Sequence, residues 1–392
     1  MLPEEFTHIQ EAIRDENLDG WLFCNFRHRD KLSDELLHIN PRATNSRLWF
    51  YAVPARGEPL KVVHAIEQNA LDTLPGTRKS YISREELIAA LKPLEKKRWG
   101  VHSSPSLTAI SYLDAGTSAV LEGAGLILVS AAALIQRFKG LLNADAIKSH
   151  EKAARHLYEI VDIAWDRVKT AYHRREPLRE GDLRLLIQEE MAKRNLVTGN
   201  SPIVAAGADS GNPHYDFSGS GAELKEGDVV QFDISAKDAA EGAVYADISW
   251  VGVFAAAAPP EIERAFADLI SVREGVYRFI EGELREGRRP SGAAADREAR
   301  SLLINLGYSS AIRHRTGHGI DTECHGSGVN IDSVEFPDSR LLLDGSCFSL
   351  EPGIYFSDFG LRTEIDVYIL AGKPVVSGKD RQFQLLTCQR DR

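Results

Sequence analysis

Over roughly the first 145 residues, apolar positions at helical spacing alternate with short, nearly continuous apolar runs. Glu4 to Glu16 carries one apolar stripe and predicts an amphipathic helix. Gly20-Trp21-Leu22-Phe23-Cys24 reads as a strand buried on both faces. Leu48 to Val53 and Leu60 to Ile66 read as two more strands, joined by a turn over Ala55-Arg56-Gly57-Glu58-Pro59. Ser83 stands where an N-cap would, with Glu85 and Glu86 in the first turn of a helix ending near Leu91, before Pro93. A strand at Trp99 to His102, a helix near Ser106 to Leu121, a strand at Gly125 to Val129 and a further helix follow. This alternation predicts an α/β domain over residues 1–147 with a mixed or mostly parallel sheet. It carries no chemical motif. His28, His38 and His64 are scattered and read as ordinary surface or core histidines.

From residue 148 the pattern changes. A long helical stretch, Ala146 to His173, places Leu157, Ile160, Val161, Ala164 and Val168 on one face. A second helix spans Gly181 to Arg194. Asp228 to Ala236 then alternates, with Val230, Phe232 and Ile234 on one face and Gln231, Asp233 and Ser235 on the other. Val244 to Phe254 reads as the return strand, with Tyr245, Asp247, Ser249 and Val251 sharing a face. A hairpin centred on Ala240 would set Asp233 directly opposite Asp247, and two carboxylates so placed repel unless a cation lies between them. Pro259 to Glu283 and Ser291 to Leu306 read as helices, the second ended by Gly307. Strands carrying Glu351 and Glu364 close the domain, 148–392, giving it an α+β character.

Composition narrows the function classes. A net charge of −10 argues against a nucleic-acid or anionic membrane partner, since both need a basic face. The most apolar window, Ala124 to Ile135, is about half the length that spans a bilayer. The N-terminal residues lack the basic-then-apolar pattern of a signal peptide. The four cysteines, Cys24, Cys324, Cys347 and Cys388, include no CxxC pair and are sparse for a disulfide framework, which fits a reduced, cytoplasmic setting. Cys324 and Cys347 lie near the proposed site and read as small buried hydrophobes.

The chemistry gathers late in the chain. His314-Arg315-Thr316-Gly317-His318-Gly319-Ile320 is followed by His325, then by Ser349-Leu350-Glu351-Pro352-Gly353 and Leu361-Arg362-Thr363-Glu364-Ile365-Asp366. With Asp233 and Asp247, these segments offer four carboxylates and one imidazole, a set suited to two divalent cations about 3.5–4 Å apart that activate a water for attack on an amide. The oxygen-rich set favours Mn²⁺ or Co²⁺, with Fe²⁺ or Zn²⁺ also able to bind. Arg362 shares a face with Glu364 and could orient a ligating carboxylate. Asp366 falls outside the expected site. His214, in Asn212-Pro213-His214-Tyr215, could act with His314 and His325 on a substrate carbonyl or leaving nitrogen.

These residues, in this order, resemble metallopeptidases of the pita-bread fold, which include methionine aminopeptidase, aminopeptidase P and prolidase. The resemblance covers roughly residues 150 to 390. The first domain is similar in layout to the N-terminal domain of the aminopeptidase P, prolidase and creatinase branch. The resemblance implies that Asp247 and Glu364 bridge two metals, that Asp233 chelates one, and that His318 and Glu351 bind the other. It implies that Glu351 also takes a proton from the attacking water, that His214 and His325 contact substrate, that His314 is a further pocket histidine, and that Arg362 supports the ligands. It implies a short peptide substrate cut at an Xaa-Pro bond, and leaves a homodimer possible. The sequence departs from the family pattern at Ser249-Trp250, Asp321 and Gly326, and in the longer gap between the aspartates. Those positions bear on substrate preference. A metal-dependent lyase or amidase related to creatinase, or a binding module without catalysis, are the alternative readings.

Overall fold

The computed structural model describes residues 3–378 and 381–389. The chain divides into two compact units, Met1–Lys139 and Gly140–Arg392.

The first unit contains α1 (Pro3–Asp15), β1 (Gly20–Asn25), α2 (Lys31–Leu36), β2 (Trp49–Pro54), β3 (Leu60–His64), β4 (Thr77–Tyr81), α3 (Arg84–Leu91), β5 (Arg98–Val101), α4 (Ala115–Gly123), β6 (Ile127–Ser130) and α5 (Ala132–Ile135). Its six strands run in the order β4-β3-β2-β1-β5-β6. β1 is antiparallel to β2 and parallel to β5, so the sheet is mixed, as expected. The unbroken apolar runs are explained by burial on both sides. Trp21 and Phe23 enter one core with Trp49, Tyr51 and Val53, while Leu22 enters the opposite core with Phe50, Ala52 and Trp99. Ser83 caps α3 in a full capping box with Glu86. The helix expected over Ser106 to Leu121 is shorter. Thr108–Ile110 makes one 3-10 turn, and α4 starts only after Asp114, whose carboxylate accepts from Thr117 N and the Thr117 hydroxyl. A local side-chain cap there wins over helical propensity upstream. Strand β4 and helix α2 have no apolar period strong enough to announce them.

The second unit begins with α6 (Ala144–Arg174) and α7 (Glu180–Lys193). The strands β7 (Leu196–Val197), β8 (Ile203–Ala206), β9 (Val229–Asp238) and β10 (Ala246–Val253) follow, then α8 (Pro260–Arg285) and α9 (Gly292–Asn305). The strands β11 (Cys347–Leu350), β12 (Gly353–Tyr355), β13 (Gly360–Arg362), β14 (Ile365–Leu370), β15 (Lys373–Val376) and β16 (Leu386–Thr387) complete it. The stripe of α6 (Leu157, Ile160, Val161, Ala164 and Val168) packs in one cluster with Val230, Phe232 and Ile234 of β9 and with Ala246 and Ile248 of β10. Each fully buried Val, Leu, Ile or Phe among them contributes about 1.5–3 kcal/mol. Helices α8 and α9 cover a second cluster with Phe348 and Leu350 of β11 and Ile365, Val367 and Ile369 of β14. Because strand side chains alternate, seating Val230, Phe232 and Ile234 against α6 directs Gln231, Asp233 and Ser235 to the other face. No helix is long and apolar enough among the described residues to cross a membrane.

Candidate metal centre

β9 and β10 are antiparallel, but their register differs from the expected hairpin. Asp233 pairs with Ser249, and Asp247 with Ser235, so the hairpin is centred on Glu241 rather than Ala240. The two aspartates are diagonal neighbours, not direct opposites. The reason lies in the loop. Tyr245 N donates to Asp321 O at 3.0 Å and Val244 N to Ser149 Oγ at 3.2 Å, which draws both residues off the ladder. Meanwhile β9 runs on to Asp238 by pairing with β7. The shift is of two residues on β10, so Asp233 and Asp247 keep the same face.

His318 is presented by two glycines that allow backbone to meet backbone. A Cβ on Gly317 would lie 2.0 Å from Ser349 O, and one on Gly319 would lie 2.5 Å from Gly328 C. Only glycine permits this approach. The segment is fixed by bridges from Gly317 to Ile331 and from Gly319 to Phe348. His318 Nε2 then lies 3.7 Å from Asp247 Oδ2 and 3.6 Å from Glu351 Oε1. Glu351 follows β11, anchored by its N–H to Thr316 O at 2.8 Å, and accepts from Ser349 Oγ at 3.1 Å. Glu364 sits in the break between β13 and β14, where its N–H donates to Ser249 O at 3.2 Å and its Oε2 accepts from Ser249 Oγ at 2.8 Å. Ligand atoms of Asp247, His318 and Glu364 all lie within 4.8 Å of one another.

The buried Arg362 joins four groups. Its Nη2 donates to Asp233 Oδ2, its Nε to Ser249 Oγ at 3.1 Å, and its Nη1 to Tyr355 Oη at 3.0 Å and Pro213 O at 3.2 Å. The last bond ties the loop carrying His214 to the same guanidinium that braces Asp233. His214 itself is exposed. His314 Nε2 lies 2.8 Å from Tyr355 Oη, so this histidine reaches the cluster through the phenol. The rings of His325 and His318 are 4.2 Å apart, edge to face. Asp366, expected outside the site, accepts a 2.8 Å bond from Asp247 N and so fixes the backbone of that aspartate.

The electrostatics are those of a cation site. Burial, then the neighbouring charge of Asp233, pushes the Asp247 carboxyl well above the usual range. Burial, then Asp247, does the same to Glu364. Burial, then His325, pushes His318 down to about 3, which keeps its ring neutral and its lone pair available. Asp247 Oδ1 is buried with no hydrogen-bond donor. A buried oxygen of this kind costs about 1–3 kcal/mol unless something satisfies it, and a divalent cation does so. The donors present therefore fit metal ions.

Tyr355, Arg315 and the support from Ser249 and Asp366 were not singled out as site features from the sequence. Ser249 carried a usable signal, since it lies two residues beyond Asp247 on the same strand face. Tyr355 carried none, because its hydroxyl reaches the cluster only through the β12–β13 pairing. Burial and then the positive Arg315 push His325 down, and Arg315 adds to the larger effects of burial and His325 on His318. Cys347 is wholly buried beside Ile320, as expected, but Cys324 is not simply a core residue: its Sγ donates to Asp247 Oδ2 at 2.9 Å. The two departures at Asp321 and Gly326 are coupled. Asp321 accepts from Glu323 N at 2.8 Å and Ser327 N at 2.7 Å, and its Cγ lies 2.5 Å from where a Cβ on residue 326 would be. The carboxylate of one fills the space a side chain on the other would need.

A family model for metallopeptidase family M24 matches residues 150–371, more than half of the chain. The chain belongs to metallopeptidase family M24. M24 peptidases are dinuclear metalloenzymes, and the matched region contains the five carboxylate and histidine donors described above. The putative dipeptidase YkvY of Bacillus subtilis is 26% identical over 293 residues, 71% of either chain. The Xaa-Pro dipeptidase of Lactobacillus helveticus is 27% identical over 239 residues, 59% of this chain and 57% of that one. The crystal structure of dipeptidase PepE from Mycobacterium ulcerans superposes with a TM-score of 0.71 at 21% identity, covering 99% of this chain and 98% of that one, which shows a shared fold across both units. An N-terminal α/β domain preceding a pita-bread catalytic domain is thus the architecture of this M24 chain.

Proposed function

We propose that this M24 chain is a dinuclear metallo-exopeptidase acting on Xaa-Pro bonds, with Asp233, Asp247, His318, Glu351 and Glu364 holding the metal pair. The observation that carries the reading is the convergence of ligand atoms of Asp247, His318 and Glu364, beside an Asp247 Oδ1 that has no hydrogen-bond donor. Bound there, two divalent cations would polarise the scissile carbonyl and lower the pKa of water. Mn²⁺ is the proposed metal, on the strength of the carboxylate-rich donor set.

The remaining chemistry belongs to side chains. Glu351 accepts the proton of the attacking water and passes it toward the leaving proline nitrogen. His214 and His325 orient the peptide and donate to the oxygen that gains charge in the tetrahedral intermediate. Arg362 holds Asp233 in place and, through Pro213 O, sets the position of the His214 loop. His314 and Tyr355 close that network from the other side. The names of the Lactobacillus and Bacillus relatives support a peptide substrate, and the Lactobacillus one the proline preference. A cytoplasmic setting is in keeping with four unpaired cysteines. A homodimer is testable by light scattering.

The test is cleavage of a mixed pool of Xaa-Pro dipeptides, Xaa-Pro-Yaa tripeptides and non-proline controls by Mn²⁺-loaded protein, read by mass spectrometry. Loss of the Xaa-Pro members alone supports the reading. Two bound metals without any cleavage of peptide would move a lyase or amidase reaction to the front.

A further inference from the structure

Beside the carboxylate-rich centre lies a second donor set of different chemistry. A ring nitrogen of His318, the Sγ of Cys324 and a ring nitrogen of His325 all lie within 4.8 Å of one another. Cys324 Sγ is 2.9 Å from Asp247 Oδ2, and His318 Nε2 is 3.7 Å from that same oxygen. Two imidazoles and one thiol therefore converge, with a carboxylate oxygen beside two of the three. Tetrahedral zinc uses this mixture of donors, at about 2.0–2.2 Å to nitrogen and oxygen and about 2.3 Å to sulfur. Cys324 is half-buried and His325 exposed, so an ion has access from solvent.

We propose that one thiophilic divalent cation, Zn²⁺ as the reference case, binds to His318, Cys324 and His325, with water completing its shell, and that this state excludes the catalytic metal pair. The exclusion rests on the reading above, because His318 is taken there as a ligand of the pair. On binding, the thiol proton leaves to solvent and a Zn–S bond forms, with no change in oxidation state. Zn²⁺ binds nitrogen and sulfur donors far more tightly than Mn²⁺ does, so the soft set selects it even when Mn²⁺ is in excess. His325 is withdrawn from the substrate at the same time. The consequence is an enzyme switched off by zinc through a cysteine inside its own active site.

X-ray absorption on the full-length protein, stripped of metal and given one equivalent of Zn²⁺, tests the site directly. A sulfur shell at about 2.3 Å is expected, and a shell of only nitrogen and oxygen at about 2.0–2.1 Å overturns the proposal. The wild-type chain gives a second readout. Zn²⁺ should slow alkylation of Cys324 by iodoacetamide at least tenfold relative to Mn²⁺, mapped by peptide mass spectrometry; equal rates overturn it. In Cys324→Ser, Zn²⁺ affinity should fall at least tenfold more than Mn²⁺ affinity does; equal losses mean the thiol is no ligand. These readouts do not depend on turnover. A sulfur shell in a protein that cleaves no peptide sinks the peptidase reading alone, and Xaa-Pro cleavage without a sulfur shell sinks the zinc site alone.

Discussion

The hydroxyl of Ser249 donates a 2.8 Å hydrogen bond to Glu364 Oε2, joining the middle of β10 to the break between β13 and β14. Ser249 Oγ also accepts from Arg362 Nε at 3.1 Å, so one serine aligns a carboxylate and a guanidinium together. Groups that orient metal ligands in this way typically tune affinity by about 10–100-fold. Ser249→Ala should weaken binding of the metal pair by that factor and leave the fold unchanged. Isothermal titration with Mn²⁺ measures it, and unchanged affinity would show that Glu364 needs no such support.

Glu351 is held from two directions, by its own N–H to Thr316 O and by Ser349 Oγ on Oε1, with His318 Nε2 3.6 Å away. Glu351→Ala removes a metal donor and the proposed proton acceptor, so kcat should be lost while the circular dichroism spectrum is retained. Full activity in that variant would remove Glu351 from the mechanism.

His214 lies on an exposed loop, tethered through Pro213 O to Arg362. His214→Ala should therefore lower kcat/KM by at least about 10²-fold, the range for a lost acid–base or oxyanion donor, with metal content unchanged. Metal analysis alongside the kinetics distinguishes this from a ligand. A parallel loss of metal would reassign the residue.

Asp247 is a buried carboxylate with an unsatisfied oxygen and another carboxylate, Asp233, as its neighbour on the strand face. In the metal-free protein this arrangement is costly, and neutralising it relieves repulsion. Asp247→Asn should keep or raise the Tm of the chelator-treated protein. It should also abolish the Tm increase that Mn²⁺ produces in the wild type, which for a single site at 100 Kd is worth about 2.7 kcal/mol. Thermal melts with and without Mn²⁺ read both effects. A normal metal-induced rise in the variant would take Asp247 out of the ligand set.

What the sequence by itself determined is local. The stripe of α6, the alternation of β9 and the two-sided burial of β1 follow from period alone, because a helix or strand has only one way to hide such a pattern. The N-cap at Ser83 was likewise legible as short-range chemistry. His318, Glu351 and Glu364 could be named because each stands in a compact motif, and Asp233 and Asp247 because strand alternation puts them on the polar face. Their mutual geometry could not be read, since it depends on contacts far apart in the chain. The β9–β10 register was set by bonds from Tyr245 to Asp321 and from Val244 to Ser149, so Asp233 faces Ser249 rather than Asp247. Glu351 and Glu364 sit beside strands rather than within them. Tyr355 reaches His314 across 41 residues, Cys324 meets Asp247 across 77, and Asp366 meets it across 119. No spacing rule reports pairings over such distances. Only packing of the two helix-covered clusters brings those segments together, and that decided which thiol, phenol and carboxylate share the site.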